Sequence, residues 1–271
     1  LDNPVDPHAL ADYLRTEPWD SFYFSVPKAA GLVAGMISPV ERRMLSWLVG
    51  EAYTGRGEIV DLGAFIGSSA VCMATGLARS RAVEKEKRIH SYDRFFGDYP
   101  IQWIKENTSF QSDGPSYRNV YNEQIAPFRA AIEVYEGDVV GKSWIGKPIE
   151  ILFLDILKTP ELASSVVTHF FPYLEPGSIV VAQDYLHDAL PYTVGVMEHF
   201  DDFFERGGDT GRGSVLFVTT QKIPSAGFAW SRLPESLRLQ YLVRAADKQR
   251  TNLAKEMISR LIGDFVSGKY R

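Results

Sequence analysis

The sequence predicts an α/β fold built on a mainly parallel sheet. Three observations predict it. From Glu58 onward, short apolar runs alternate with helical stretches. Runs such as "EIVDL", "IEILFLD" and "GSIVVAQD" are almost continuously apolar, as strands covered on both faces require. The first of them ends in an acid and a two-glycine turn, then becomes an alanine-rich helix, in "GEIVDLGAFIGSSAVCMATGLA".

Two helices around a loop precede the sheet. Asp6-Pro7 opens the first, with Leu10 and Leu14 on one face. Ser38, Pro39 and Glu41 form a capping box for the second, whose stripe is Val40, Met44, Leu45, Leu48 and Val49. The aromatic stretch between them reads as a packed loop or a substrate lid. "EIVDL" is the first strand, followed by a helix over 68–79. "RIHSYD" is the second strand, and a long insert spans 94–129. "AIEVYEGD" and "IEILFLD" are the third and fourth strands, followed by a helix from about Pro160 to Leu174. "GSIVVAQD" is the fifth, with a helix from about Leu190 to Arg206. "SVLFVTTQ" and "GFAWSRL" read as an antiparallel hairpin closing the sheet. Pro234 to Val266 is a long amphipathic helix or helix pair, striped by Leu242, Ala246, Leu253, Met257 and Leu261. That stripe either packs on the body or pairs two subunits of a homodimer. The organisation expected is an N-terminal helical or lid segment (1–50), a core (51–232) carrying the insert 94–129, and a C-terminal helical segment (233–271).

Composition narrows the function. The 271 residues are 45% hydrophobic and 23% charged, so an ordinary buried core is expected. A net charge of −5 argues against a general nucleic-acid binder. The single cysteine, Cys72, lies in the apolar helix, and no Cys/His spacing suggests zinc. A reducing cytosol is the compartment expected. No apolar run reaches the roughly 18 residues of a membrane span, and no signal peptide is read.

The glycine turn is the first candidate site. Gly63 and Gly67 let the backbone turn sharply and let a ligand approach closely. Ser68 or Ser69 can cap the helix that follows, and its N-terminus suits a carboxylate or phosphate. The pattern D-x-G-x-x-x-G lacks the third glycine of a pyrophosphate-binding turn. Asp93 ends the second strand, where a carboxylate accepts from a ribose diol, in nicotinamide sites as elsewhere. Asp138 ends the third strand and can accept from an adenine amino group. Three acids at three successive strand ends, with one loose glycine turn, fit adenosine without a pyrophosphate.

The runs "VDLGAFIGSSA", "SYDRF" and "EGD" resemble the class I S-adenosylmethionine-dependent methyltransferases over roughly residues 35 to 230. That resemblance implies a Rossmann-like, mainly parallel seven-stranded sheet with a terminal antiparallel hairpin and helices on both faces. It places Asp61, Gly63, Ala64, Gly67, Ser68 and Ser69 around the amino-acid end of S-adenosylmethionine. Asp93 and Arg94 would then lie at the ribose, Asp138 and Val139 at the adenine, with Asp155 also beside the cofactor. "DRFFGDYP" is further similar to a segment of the macrocin O-methyltransferase-like enzymes, which methylate sugar hydroxyls. In that family, acids after the fourth and fifth strands bind a divalent metal. The corresponding residues here are Asp155 and Asp184, with Gln183 where a second acid is expected.

Methyl transfer to an alcohol requires alignment of the oxygen and removal of its proton. Asp155 and Asp184 can do this as bases or as ligands of magnesium or another divalent cation, with Gln183 as a neutral third ligand. They can equally cap loops or pair with Lys158. His187, on the loop after Asp184, is a candidate general base. His90 reads as a packed strand residue, His169 as structural and His199 as part of a solvated face. In the insert, Tyr99, Trp103, Phe110 and Tyr117 form either an acceptor wall or a small core. The function expected is O-methylation of a small-molecule or glycan acceptor. The alternatives are a nicotinamide-dependent oxidoreductase, for which no Tyr-x-x-x-Lys centre stands in a suitable place, and a non-catalytic binding module.

Overall fold

A computed structural model describes residues 6–81, 89–144, 146–187, 190–211, 213–225, 227–249 and 251–270. In chain order its elements begin with three helices, α1 (Pro7–Leu14), α2 (Lys28–Leu32) and α3 (Pro39–Trp47). Strand β1 (Glu58–Leu62), α4 (Ser68–Leu77) and β2 (Ile89–Asp93) follow. The insert forms α5 (Asp98–Asn107) and α6 (Arg118–Ile125) before β3 (Ile132–Glu136). Then come β4 (Ile149–Leu154), α7 (Pro160–His169), β5 (Leu174–Ala182), α8 (Tyr192–His199), β6 (Phe204–Asp209) and β7 (Val215–Thr219). Helices α9 (Glu235–Asp247) and α10 (Asn252–Val266) end the chain. The seven strands form one mixed sheet in the order β3-β2-β1-β4-β5-β7-β6. This is the predicted class, mostly parallel with an antiparallel hairpin.

Two compact units make up the chain, one of residues 18–139 with 150–152 and one of 1–17, 140–149 and 153–271. In the first, β1 pairs with β2 and β2 with β3, all parallel. Every residue of β1 is buried, as is every residue of α4, so this helix is covered on all sides. The capping box of α3 forms as expected: Ser38 accepts from the Glu41 N–H, and Glu41 accepts from the Ser38 N–H at 2.7 Å. His90 is a packed strand residue, 3.2 Å from Glu58 Oε2 and 3.1 Å from the Tyr135 hydroxyl. The sequence "RSRAVEKEKR" at 79–88 carries mixed charge, and its part from 82 to 88 lies outside the described residues.

In the second unit, β7 runs antiparallel to both β5 and β6. Here three expectations are corrected. The hairpin partner of "SVLFVTTQ" is β6, not "GFAWSRL", which carries only a short 3-10 turn at Trp230–Arg232. The helix after the fifth strand stops at His199, well before Arg206. The physical reason is that α1 packs on "FERGGD", with Leu14 beside Gly207 and Arg15 bonded to the strand. Arg15 donates to the Arg206 carbonyl at 2.9 Å and to Glu205 Oε1 at 2.5 Å. The buried face of α10 is Ala254, Ile258, Leu261 and Phe265, whereas Leu253 is 41% exposed. Among the described residues no helix is long and apolar enough to cross a membrane.

Candidate functional site

Asp61, at the end of β1, has no exposure to solvent. Its carboxylate accepts from the Ser69 hydroxyl at 3.0 Å and from the Ser91 hydroxyl at 3.0 Å. A buried carboxylate has to be met by donors, and two serines supply them here. Ser69 therefore faces Asp61 and does not cap α4. The cap position belongs to Gly67, with no side-chain hydrogen bond, which corrects the serine-cap expectation. Ser68 is also buried, its side chain filling the space where a Cβ on Gly35 would lie.

The glycine turn is left-handed at both glycines, φ +99° at Gly63 and +96° at Gly67. L side chains disfavour that region, so both positions select glycine. The Gly63 and Ala64 N–H groups both donate to the Tyr92 carbonyl, at 3.0 and 3.2 Å. Gln124 of α6 completes the turn. Its amide nitrogen donates to the Ile66 carbonyl at 2.6 Å and the Ala34 carbonyl at 3.1 Å, and its oxygen accepts from the Ala34 N–H at 2.7 Å. Nothing in the local sequence around Gln124 announces this role.

Asp93 ends β2 among donors of its own chain. Oδ1 accepts from the Phe95 N–H and the Tyr117 hydroxyl, each at 2.7 Å, and Oδ2 accepts from the Phe65 N–H at 2.8 Å. Phe65 and Phe95 both adopt positive φ, +47° and +53°, which aims their N–H groups at one carboxylate. Desolvation pushes the Asp93 pKa up, against the pull of these three donors and of Arg94. Arg94 itself is exposed. Tyr117 is buried, and its ring meets Phe65 edge-on at 5.5 Å; Trp103 does so from the other side at 5.4 Å. Of the four insert aromatics, these two thus form a small core with Phe65, while Tyr99 is 71% exposed. Beyond β3, Asp138 is exposed and Val139 buried.

This set suits an adenosylated sulfonium by donor type. The first turn of α4 has no side-chain cap, so its N–H groups are of the donor type a carboxylate needs. Asp93 has four lone-pair sites and three donors, so one site remains for a ribose hydroxyl. A second ribose hydroxyl would have to take the place of the Tyr117 hydroxyl.

Asp155 and Asp184 follow β4 and β5. Lys158 joins them: its ammonium lies 2.8 Å from Asp155 Oδ1 and also hydrogen-bonds Asp184 Oδ2. Contacts of neighbouring residues fix the loop backbones that carry these side chains. Lys158 N–H donates to the Ile156 carbonyl at 2.7 Å, Leu157 is buried, and Thr159 caps α7 by accepting from the Leu162 N–H. Asp184 sits at φ +61°, a strained position for a residue other than glycine. The next residue, Tyr185, anchors it: fully buried, its hydroxyl donates to Glu198 Oε1 at 2.7 Å. Desolvation pulls the Lys158 pKa down, but Asp155 and Asp184 outweigh it and hold it above the ordinary lysine value.

The donor set does not fit a divalent cation. Among the described residues no three carboxylate, imidazole or thiolate groups cluster to hold one. The point on which Asp155 and Asp184 converge carries an ammonium instead. Gln183 is half-buried, and its Oε1 has no hydrogen-bond partner. His187 is exposed, its N–H donating to the Asp184 carbonyl at 3.1 Å. His199 departs from its expected solvated face, with its Nδ1 2.8 Å from the Tyr241 hydroxyl and Phe228 tilted 5.0 Å away. Burial lowers its pKa. His169 lines a concavity of about 360 Å³ along α7 with Glu161, Ser164, Thr168 and Phe228, away from Asp155 and Asp184.

Residues 60–185 match a family model described as a methyltransferase domain. A search of curated proteins gave no match. Among solved structures, the chain is similar to an O-methyltransferase from Bacillus cereus in complex with SAH, at 13% identity, 78% of this chain, 99% of that chain and a TM-score of 0.45. It is similar to CalS11, a TDP-rhamnose 3'-O-methyltransferase of calicheamicin biosynthesis, at 15% identity, 81% and 96% coverage and a TM-score of 0.49. Cofactor-bound Rv0187 from MTB matches at 14% identity, 82% and 100% coverage and a TM-score of 0.48. Likeness at this level concerns layout and carries nothing about the acceptor.

Proposed function

With residues 60–185 matching a methyltransferase family and the chain resembling the class I S-adenosylmethionine-dependent enzymes, we propose that it is an O-methyltransferase. Its acceptor is a hydroxyl of a small polar molecule, a sugar of a glycan or of a glycosylated metabolite, and not a nucleic acid. The observation that carries this reading is the matched stretch itself. It contains the glycine turn, Asp93 and both aspartates that meet Lys158.

Asp93 and Asp138 would hold the adenosine, and the turn from Gly63 to Ser69 the amino-acid end. When bound, S-adenosylmethionine supplies a methyl carbon whose bond to sulfur breaks with the electron pair kept by sulfur, which loses its positive charge. Asp155 or Asp184 would take the proton of the acceptor hydroxyl as its oxygen bonds to that carbon. Two carboxylates with one ammonium can take a proton without building a large net charge. His187, exposed on the following loop, would pass the proton to water. The buried thiol of Cys72 is consistent with a cytosolic enzyme.

Calorimetry with S-adenosylhomocysteine tests the cofactor half. A folded sample that takes up none at near-millimolar ligand would sink it. Tritiated-methyl transfer to a panel of sugars, catechols, small acids and an RNA tests the acceptor half. Label on RNA alone would overturn the small-acceptor reading.

A further inference from the structure

We infer that Lys158 is an internal cation, holding by its own ammonium the place between Asp155 and Asp184 where the chain would otherwise take up a divalent ion. Two carboxylates from separate loops converge on one point, with the unpartnered amide oxygen of Gln183 on the adjoining residue. Oxygen donors of this kind attract a hard cation. The chain fills the point itself, because Leu157 and Thr159 fix the loop that presents Lys158 on one side, and Tyr185 fixes Asp184 on the other.

An ammonium has three N–H donors. Asp155 and Asp184 take two, and among the described residues the third has no partner. The Lys158 side chain is 41% exposed, so that donor can reach an oxygen arriving from solvent. In the methyltransferase reading, on which only this step rests, that oxygen is the acceptor hydroxyl. Lys158 then steadies the negative charge growing on it as the proton leaves, which is the service a metal would provide. The reaction accordingly needs no added divalent ion.

The experiment is a manganese titration of the whole chain, followed by the paramagnetic resonance signal of free Mn2+. Wild type should leave the signal untouched across the micromolar range. Lys158→Ala removes the resident charge and leaves two carboxylates facing each other, and it should bind one equivalent at least ~10-fold more tightly than wild type. Asp184→Ala added to that variant should abolish the uptake. Lys158→Met, which keeps the side-chain volume, carries the same readout should the alanine variant fold poorly. Stoichiometric uptake by wild type overturns the inference, and so does a folded Lys158 variant that binds no more manganese than wild type. Where methyl transfer is measurable, EDTA should leave the wild-type rate unchanged, while the Lys158→Ala rate should fall and be partly restored by manganese. S-adenosylhomocysteine calorimetry on the same samples keeps the two readings apart, since its failure removes the methyltransferase reading and leaves the manganese result standing.

Discussion

In the unit of residues 18–139, Asp61 and Asp93 are met by neutral groups: two serine hydroxyls, two backbone N–H groups and one tyrosine hydroxyl. In the other unit, Asp155 and Asp184 are met by a full charge, the ammonium of Lys158. Neutral donors hold a carboxylate in one orientation and do not cancel its charge. An ammonium on a four-carbon stem cancels charge and can be displaced or redirected. The first arrangement suits a pocket that must keep its shape, and the second suits a place where a proton comes and goes.

The sharpest way to break this contrast is Asp61→Ala. It strands two buried hydroxyls, and stability should fall by about 2–4 kcal/mol, read from urea unfolding. A loss near zero would mean that the serines are satisfied without it. Tyr117→Phe comes next. Losing the hydroxyl bond to Asp93 should lower stability by about 1 kcal/mol, yet free a lone pair and tighten S-adenosylhomocysteine binding about threefold to tenfold. Weaker binding in calorimetry would show that the hydroxyl supports the ligand and does not stand in its place. Lys158→Gln should change stability by less than about 1 kcal/mol, because the side chain is 41% exposed.

The pH dependence separates the two units as well. Asp93 has a folded pKa raised above its ordinary 3.8, so its protonated form favours folding and that contribution is lost as pH rises from there through the raised value. Lys158 is also raised, from 10.5, so its contribution is complete below that value and is lost only at higher pH. The difference in unfolding free energy between wild type and Lys158→Gln should therefore stay flat from pH 6 to about 10 and shrink above it. A change near neutrality would contradict the assignment. The smallest effect concerns Cys72, whose thiol burial pushes up to about 12. Iodoacetamide at pH 8 should label it only after denaturation.

The parallel strands were legible because burial on both faces favours mainly apolar runs, and β1 and β4 are such runs. Strand β6 was not. "FERGGD" has two glycines and three charges, and it becomes a strand through Arg15 and through pairing with β7. At the site, the sequence carried the aspartates but not what each one touches. Tyr117 lies across the insert from Asp93, and the turn between Asp155 and Lys158 decides whether the lysine faces the acid or solvent. Such contacts belong to loop conformation, which no periodicity encodes. The serine cap failed for a related reason: a buried acid at the end of β1 claims the Ser69 hydroxyl before α4 can use it.

Gln124 adds something the aspartates do not. One side-chain amide grips both the 30s loop, at Ala34, and the glycine turn, at Ile66. The two segments are thereby tied to one side chain of α6. The Ala34 N–H becomes a built-in reporter. Its exchange with deuterium should slow when a ligand occupies the turn, although Ala34 itself lies in a different loop.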